Sequence, residues 1–384
     1  MSDMANPRIR LGMIGGGQGA FIGGVHRIAA RLDDHYTLMA GVLSSTPERA
    51  QASGAELGLA PDRIYTDITA MAEAEAARPD GIEAVAVVTP NHMHRTAAEP
   101  FLARGIHVIC DKPLTSTLED AEALAAAARA SGALFVLTHN YTGYPMVRQA
   151  REMVSAGALG AIRVVQVEYP QDWLSRDLEA TGQKQASWRT DPARSGAGGS
   201  VGDIGTHALN LACFVTGLTP SALCADLHSF VEGRPLDDNA HVLLRFSEGA
   251  RGMLWSSQVA PGNENALRLR VYGADGGLEW AQEDPNTLWH SPLGEPTRRI
   301  TRAGHGAGEA AGRMTRIPAG HPEGYLEGFA NIYGEAAQAI RARRAGQNIP
   351  AEIMFPGIEE GLMGMRFIDA CVRSSAQGAV WIEI

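Results

Sequence analysis

Nowhere in this 384-residue chain does an apolar run approach the roughly 20 residues that a membrane-spanning helix requires. The opening residues, Met1-Ser2-Asp3-Met4-Ala5-Asn6-Pro7-Arg8, lack the cationic stretch and apolar core of an export signal. Cysteine is scarce as well. Cys110, Cys213, Cys224 and Cys371 stand singly, with neither metal-type nor disulfide-type spacing, which suits a reducing compartment and predicts a cytoplasmic location. Positive charge is in deficit, because 33 Lys and Arg stand against 43 Asp and Glu for a formal net charge of −10. No basic field exists to hold a polyanionic backbone, so neither nucleic acid nor a membrane is an expected partner. Internal repeats and low-complexity linkers are also missing.

What the chain does have is length beyond the span of one hydrophobic core, so two domains are expected. From Arg8 to Asn140, nearly continuous apolar runs at residues 9–14, 38–43, 84–88, 107–110 and 135–138 alternate with helix-forming stretches such as the alanine-rich 118–130. Continuous apolarity marks strands buried on both faces of a parallel sheet, and predicts an α/β domain over residues 1–140, a doubly wound Rossmann sheet. Beyond about residue 150 the pattern changes to period two. Residues 241–246, a turn at 247–250, then 253–259, 267–272 and 278–280 read as an antiparallel meander with one wet face. Helices near 208–215 and 324–345 are expected to cover the other face. Residues 141–384 would then form an α+β domain with a large, mostly antiparallel open sheet. The Gly-, Arg- and Thr-rich stretch 292–322 reads as a long loop.

Three motifs carry chemistry. The first strand runs directly into Gly15-Gly16-Gly17-Gln18-Gly19-Ala20-Phe21, which fits G-x-G-x-x-A through Gly15, Gly17 and Ala20. After a strand and before a helix, Gly15 permits a tight turn, Gly17 lets backbone approach a pyrophosphate, and a small Ala20 lets the helix pack closely. Gln18, Gly19 and Phe21 lie on the same loop, where the helix N-terminus offers free N–H donors to the phosphates. The second strand ends without the acid that commonly binds the ribose hydroxyls of NAD. Ser44, Ser45 and Arg49 stand there instead and suit either a ribose hydroxyl or a 2′-phosphate, so NAD and NADP both remain open. Asp33 and Asp34 precede that strand and read as a solvated helix end.

At the carboxyl ends of two later strands stand Thr89-Pro90-Asn91-His92-Met93-His94 and Cys110-Asp111-Lys112-Pro113. That edge of an open α/β sheet faces the ligand crevice, which gives Lys112 a role beyond surface charge. In the second domain a glycine-rich loop, residues 195–202, opens a helix bearing Asp203 and His207, four apart on one face, with Asn210 at the next turn. No set of ligands completes a metal site around them.

In this order the glycine turn, Asp111-Lys112-Pro113 and Asp203-x-x-x-His207 resemble the Gfo/Idh/MocA oxidoreductases over nearly the whole chain. The usual family triplet is Glu-Lys-Pro; Asp111 is a conservative departure that leaves the lysine position intact. The resemblance implies an NAD(P)-dependent dehydrogenase acting on a CH–OH group of a sugar, glycoside or cyclitol, with Lys112, Asp203 and His207 as catalytic residues. It also implies a Trp188-Arg189 pair beside the cofactor, with Asn91 on the adenosine side and His94 on the ribose side. Thr89, Pro90, Asp111, Pro113 and Asn140 complete the expected cofactor shell. Two other outcomes use the same fold: a redox-neutral lyase, glycosidase or epimerase that returns the hydride to its product, and a dinucleotide sensor without catalysis.

Alcohol oxidation takes a hydride from carbon and a proton from oxygen. The base assigned to that proton is His207, oriented by Asp203, while the Lys112 ammonium stabilises the alkoxide. Polar and aromatic residues of the second domain, namely Tyr141, Tyr144, Arg148, Trp173, Lys184, Asn210 and His321, are the candidates for binding a polyol. The open face of the sheet is expected to meet another copy of the chain, as a dimer or tetramer.

Overall fold

The five apolar runs of the N-terminal third form one parallel sheet in the computed structural model, which describes residues 7–384. Its strands are β1 (Ile9–Gly15), β2 (Tyr36–Val42), β3 (Ala84–Val88), β4 (His107–Cys110) and β5 (Phe135–Leu137), in the order β2-β1-β3-β4-β5. Helices α1 (Phe21–Leu32), α2 (Pro47–Glu56), α3 (Ile68–Ala77), α4 (His94–Leu102) and α5 (Leu118–Ser131) connect them. Each of the four pairings is parallel. The central strand β3 is buried along its whole length, as continuous apolarity demands when helices lie on both faces. Strand order reverses between β1 and β3, whose carboxyl ends meet in register at Gly15 and Val88. In doubly wound sheets this reversal opens the ligand crevice, because the loops leaving the two strands part toward opposite faces. Asp33, half-buried, caps the C-terminal end of α1, and exposed Asp34 pairs with Arg8.

The rest of the chain supplies α6 (Pro145–Ser155), β6 (Ile162–Pro170), α7 (Lys184–Arg189), α8 (Pro192–Ser195), α9 (Thr206–Thr216), β7 (Pro220–His228), β8 (Asn239–Phe246) and β9 (Arg251–Ser257). There follow β10 (Arg268–Gly273), β11 (Gly276–Ala281), β12 (Thr287–Pro292), β13 (Arg298–Thr301), α10 (Glu309–Arg313), α11 (Tyr325–Arg344), α12 (Ile358–Ala376) and β14 (Ile382–Glu383). The chain divides into two compact units. One comprises the chain up to Thr115 with Glu119–Thr138 and Leu326–Leu362; the other comprises Ser116–Leu118, His139–Tyr325 and Met363–Ile384.

The second unit is built on a nine-stranded sheet, β13-β12-β11-β10-β6-β9-β8-β7-β14, antiparallel except between β6 and β9. Three expectations need correction here. The supposed meander is interrupted, since β6 lies between β9 and β10 and pairs with both. Residues 258–267, between β9 and β10, are too many for a tight hairpin, and the vacant edges take the alternating strand β6 instead. Helix α11 does not cover this sheet. It belongs almost entirely to the first unit, where the Tyr333 hydroxyl meets His26 Nδ1 at 2.9 Å and the Tyr36 hydroxyl donates to the Tyr333 carbonyl at 2.9 Å. The inner face of the sheet is packed by α6 and α9, over rows that include Val165, Val167, Leu254, Leu269, Val271 and Trp280.

The third correction concerns 292–322, which is not one structureless loop but contains β13 and α10. Arg302 organises it. The guanidinium donates to Asn286 Oδ1 at 2.8 Å, to the carbonyls of Ile317 and Pro318 at 2.6 and 3.0 Å, to the His321 carbonyl and to Glu323 Oε1 at 3.0 Å. Both charged side chains are 1 % exposed. Alternation is absent from this segment because one buried cation, rather than a hydrophobic stripe, gathers its carbonyls. Among the described residues no helix is long and apolar enough to cross a membrane.

Removing one partner of a buried ion pair strands the other, at a cost of about 3–5 kcal/mol. Arg302→Met should therefore lower the melting temperature sharply, whereas Arg298→Met, whose exposed charge faces Glu295, should leave it nearly unchanged in the same calorimetric scan.

Candidate active site

The loop after β1 is shaped by contacts that exclude side chains. Gly15, Gly16 and Gly19 hold φ of +82°, +74° and +77°, conformations that only glycine adopts without strain. A Cβ on Gly17 would overlap the Leu43 carbonyl, and one on Gly23 would overlap Gly16 Cα. The close approach of helix to loop is thus made by Gly23 rather than by Ala20, which caps the helix in extended conformation. No side chain caps α1 and no acid stands in its first turn, so its N–H groups and dipole favour an anion.

A hollow of about 360 Å³ lies against this loop, lined by residues 16–21 with Arg27, Ser53, Glu56 and Leu57. Phe21 is exposed beside it. Gln18 is held by Ser53 Oγ, which accepts its N–H at 3.1 Å, and by Glu56, which accepts from its side chain at 2.9 Å. Arg27, which sequence reasoning passed over, donates to the Gly16 carbonyl at 2.6 Å. Burial holds its guanidinium below the usual arginine range, against the opposing charge of Glu56. At the end of β2, Ser44 Oγ accepts from Thr46 N at 3.2 Å, Ser45 is exposed, and Arg49 donates to the Gln18 carbonyl at 3.3 Å. Beside Gly15, Thr89 Oγ1 is buried without a hydrogen-bond partner. A glycine cradle, an uncapped helix terminus and an unsatisfied buried hydroxyl fit a dinucleotide.

The ends of β3 and β4 are tied together. His94 is 1 % exposed, with Nδ1 at 2.9 Å from the Pro113 carbonyl and Nε2 at 2.9 Å from the Thr89 carbonyl. Both ring nitrogens thus bridge the two loops; burial keeps the ring below the ordinary histidine range. Asn91 is buried and Pro90 half-buried on the same turn. Asp111 accepts from Thr138 Oγ1 at 2.9 Å and faces His26 Nε2 at 3.7 Å. Burial opposes its ionisation, but the hydrogen bond and charge of His26, with Lys112, outweigh that and bring its pKa down to about 2. Half-buried Lys112 follows directly, joined to Pro113 by a cis bond.

In the second unit the glycine-rich loop is clamped by a residue the sequence did not advertise. Asp237 accepts from Gly199 N at 2.7 Å and Val201 N at 2.8 Å, and a Cβ on Gly199 would overlap the Asp237 carbonyl. Burial pushes this carboxyl up to about 6, with the two backbone donors resisting. The clamped loop opens as a single π-turn, Val201–Gly205, before α9 begins, so Asp203 and His207 sit on a wider turn than an α-helix provides. Asp203 Oδ2 receives Arg189 Nε at 3.2 Å and Gln258 Nε2 at 3.0 Å. The guanidinium of Arg189 also lies 4.4 Å from the Trp188 ring centroid and 6.0 Å from that of Trp173. His207 Nδ1 faces His139 Nδ1 at 3.4 Å, and its ring packs on Tyr141 at 4.9 Å and Tyr169 at 6.3 Å.

A closed ring of polar bonds adjoins. Asn265 Nδ2 donates to Tyr141 at 3.4 Å, Tyr141 to Tyr169 at 2.5 Å, and Tyr169 back to Asn265 Oδ1 at 2.7 Å. Burial raises both phenols above their ordinary range, so they remain protonated donors. Asn210 is buried on α9, and Asn140 is buried with Nδ2 unpartnered. Tyr144 lies behind Tyr141, with ring centroids 5.8 Å apart, and packs on Trp280, whereas Arg148, without exposed surface, donates to the Thr142 carbonyl at 2.6 Å over the Phe214 ring. Lys184 and His321 are exposed. His139, Tyr169 and Gln258 escaped sequence reasoning, since nothing local marks a residue whose partner is distant in the chain.

A phosphate-binding glycine turn at the reversal point of a parallel sheet, with a lysine one strand over and an Asp/His helix on a second sheet, defines a nicotinamide-dinucleotide oxidoreductase. Residues 9–139 match the oxidoreductase family with an NAD-binding Rossmann fold, and residues 147–279 match the GFO/IDH/MocA C-terminal domain. The chain belongs to the Gfo/Idh/MocA family. It is 35 % identical to the uncharacterized oxidoreductase YfiI of Bacillus subtilis (strain 168) over 98 % of this chain and 96 % of that protein. An oxidoreductase crystal structure from Sinorhizobium meliloti shares 63 % identity, with a TM-score of 0.90 over 98 % of this chain and 100 % of its own. An inositol dehydrogenase homolog from Azotobacter vinelandii complexed with NAD+ shares 38 % identity, with a TM-score of 0.95 over 100 % of this chain and 99 % of its own. The same homolog has been solved with NADH and myo-inositol.

The depressed pKa of Asp111 carries a pH signature. A folded-state value below the unfolded 3.8 means that its contribution is complete above that pH and is lost as pH falls through about 2. Asp111→Asn should cost about 2 kcal/mol in urea unfolding at pH 7, with the difference from wild type shrinking as pH drops below about 4.

Proposed function

We propose that this oxidoreductase transfers a hydride between NAD or NADP and a secondary hydroxyl of a sugar, glycoside or cyclitol, with cyclitols the first class to test. The observation that carries the reading is the surroundings of His207. Its imidazole packs on the buried phenols of Tyr141 and Tyr169, to both of which the half-buried amide of Asn265 is bonded, and a polyhydroxylated ring needs both aromatic faces and paired donors and acceptors. The Azotobacter homolog, solved with myo-inositol, supports that class of substrate.

Residues 15–21 with Thr89 and Asn91 would hold the dinucleotide, which when bound would supply the carbon that takes or returns the hydride. His207 removes the hydroxyl proton in the oxidative direction. Asp203 stabilises the imidazolium so formed, while Arg189 and Gln258 fix that carboxylate in place. Lys112 as an ammonium stabilises the alkoxide, and Asp111 anchors the strand end that presents it. Residues 1–140 bind the cofactor in this scheme and residues 141–384 bind the substrate, in the cytoplasm. The exposed outer row of the large sheet, Leu243, Met253 and Trp289, serves as the contact between copies of the chain in a dimer or tetramer.

A panel of inositols, aldoses and anhydrosugars, followed through the absorbance of the reduced nicotinamide with each cofactor, tests the reaction. Lys112→Ala and His207→Ala should each lower kcat by about a hundredfold or more, and turnover within a factor of two of wild type in either would reject the assignment. Leu243→Glu with Met253→Glu should convert the assembly to monomers in analytical ultracentrifugation; an unchanged sedimentation coefficient would place the interface elsewhere.

A further inference from the structure

His207 shares its Nδ1 edge with a second histidine that no motif contains. His139 stands two residues beyond β5, and its Nδ1 lies 3.4 Å from that of His207, with the rings 83° apart. Both are buried, at 2 % and 7 % exposed. The backbone at His139 is anchored, because its carbonyl accepts from Thr142 N at 3.1 Å and Thr142 Oγ1 at 2.9 Å. Arg148 in turn holds the Thr142 carbonyl at 2.6 Å, which gives that buried guanidinium a structural task.

Two imidazoles that meet through like nitrogens bond only when one bears a proton there and the other presents a lone pair. The direction of that bond decides the chemistry of His207. If His207 donates, its Nε2 is unprotonated and basic. If His139 donates, the proton of His207 sits on Nε2, where it cannot take another from an alcohol. The Tyr141 and Tyr169 rings pack on His207, and burial keeps both phenols protonated, while the Asp203 carboxylate, four residues before His207, is engaged by Arg189 and Gln258.

We propose that His139 is a positioning residue for His207, accepting a hydrogen bond from His207 Nδ1–H and so leaving Nε2 as the basic nitrogen. The inference rests on the reading of His207 as the base. When Nε2 takes the alcohol proton, the imidazolium keeps its Nδ1–H on His139 as a charge-assisted bond, and the proton later leaves from Nε2. His139 thereby does what a carboxylate does for the base in a hydrolytic triad, without adding a negative charge.

His139→Phe keeps the ring and removes the acceptor. It should lower kcat about tenfold or more while KM moves less than about threefold, and should shift the acid limb of kcat/KM to lower pH by about one unit. His139→Asn places an oxygen near the lost nitrogen and should recover turnover to within about threefold of wild type. The double variant His139→Phe/His207→Ala should be no slower than His207→Ala alone, because a residue acting through another adds nothing once that other is gone. Multiplying effects, or a His139→Phe enzyme with wild-type rate and pH profile, would overturn the proposal.

Nuclear magnetic resonance of isotope-labelled imidazole nitrogens in the NAD-loaded wild-type protein gives a readout independent of turnover and of any variant's folding. Protonation of His207 at Nδ1 near neutral pH supports the proposal, and protonation at Nε2 refutes it. An active His207→Ala enzyme would instead remove the base reading, whatever tautomer the spectrum reports.

Discussion

Parallel strands buried on both faces cannot be joined by tight turns; each must be followed by a helix that crosses one face or the other. In the first unit that constraint decides where everything else lies. Where the strand order reverses, between β1 and β3, the loops part, and among the described residues no side chain caps the N-terminus of α1. Glycine is demanded there twice over, by positive φ at residues 15, 16 and 19 and by the near contact of Gly16 with Gly23. The neighbouring strand ends inherit their positions from the same sheet, so Asp111 and Lys112 stand at its carboxyl edge through the register of β4 on β3.

The second unit solves a different problem, namely giving partners to the ionisable and hydroxyl groups around His207, while Asn140 Nδ2 is left unpartnered. It does so in closed sets. Asp237 clamps two backbone amides of the glycine loop, Asp203 is met by Arg189 and Gln258, and Tyr141, Tyr169 and Asn265 satisfy one another in a ring. A half-satisfied network would cost more than an apolar core, whereas a complete one fixes side-chain positions. The π-turn at residues 201–205 begins at Val201, one of the two residues that Asp237 holds, and runs into the helix that carries His207.

Departures from expectation share a cause. β6 enters the large sheet between strands that are neighbours in sequence, and α11 packs in the unit at the other end of the chain from its sequence neighbours. Periodicity reports which face of an element is apolar but not which surface will cover it, so pairing between distant segments escapes a local reading. Arg302 is the same failure in polar form, since a cation that gathers carbonyls from residues 317–321 leaves no hydrophobic pattern.

The letters alone determined the Rossmann strands to within two residues at either end, the glycine turn, the lysine after β4 and the Asp203/His207 helix. Each of these is written in contiguous residues whose spacing has a direct steric or hydrogen-bonding meaning. Tertiary structure alone decided that His139 faces His207, that Asp237 holds the loop, that His94 spends both nitrogens on carbonyls, and that Arg148 serves the interior. Those contacts join residues from 5 to 68 positions apart in forms no short motif encodes, and they exist only once burial has removed water as the competing partner.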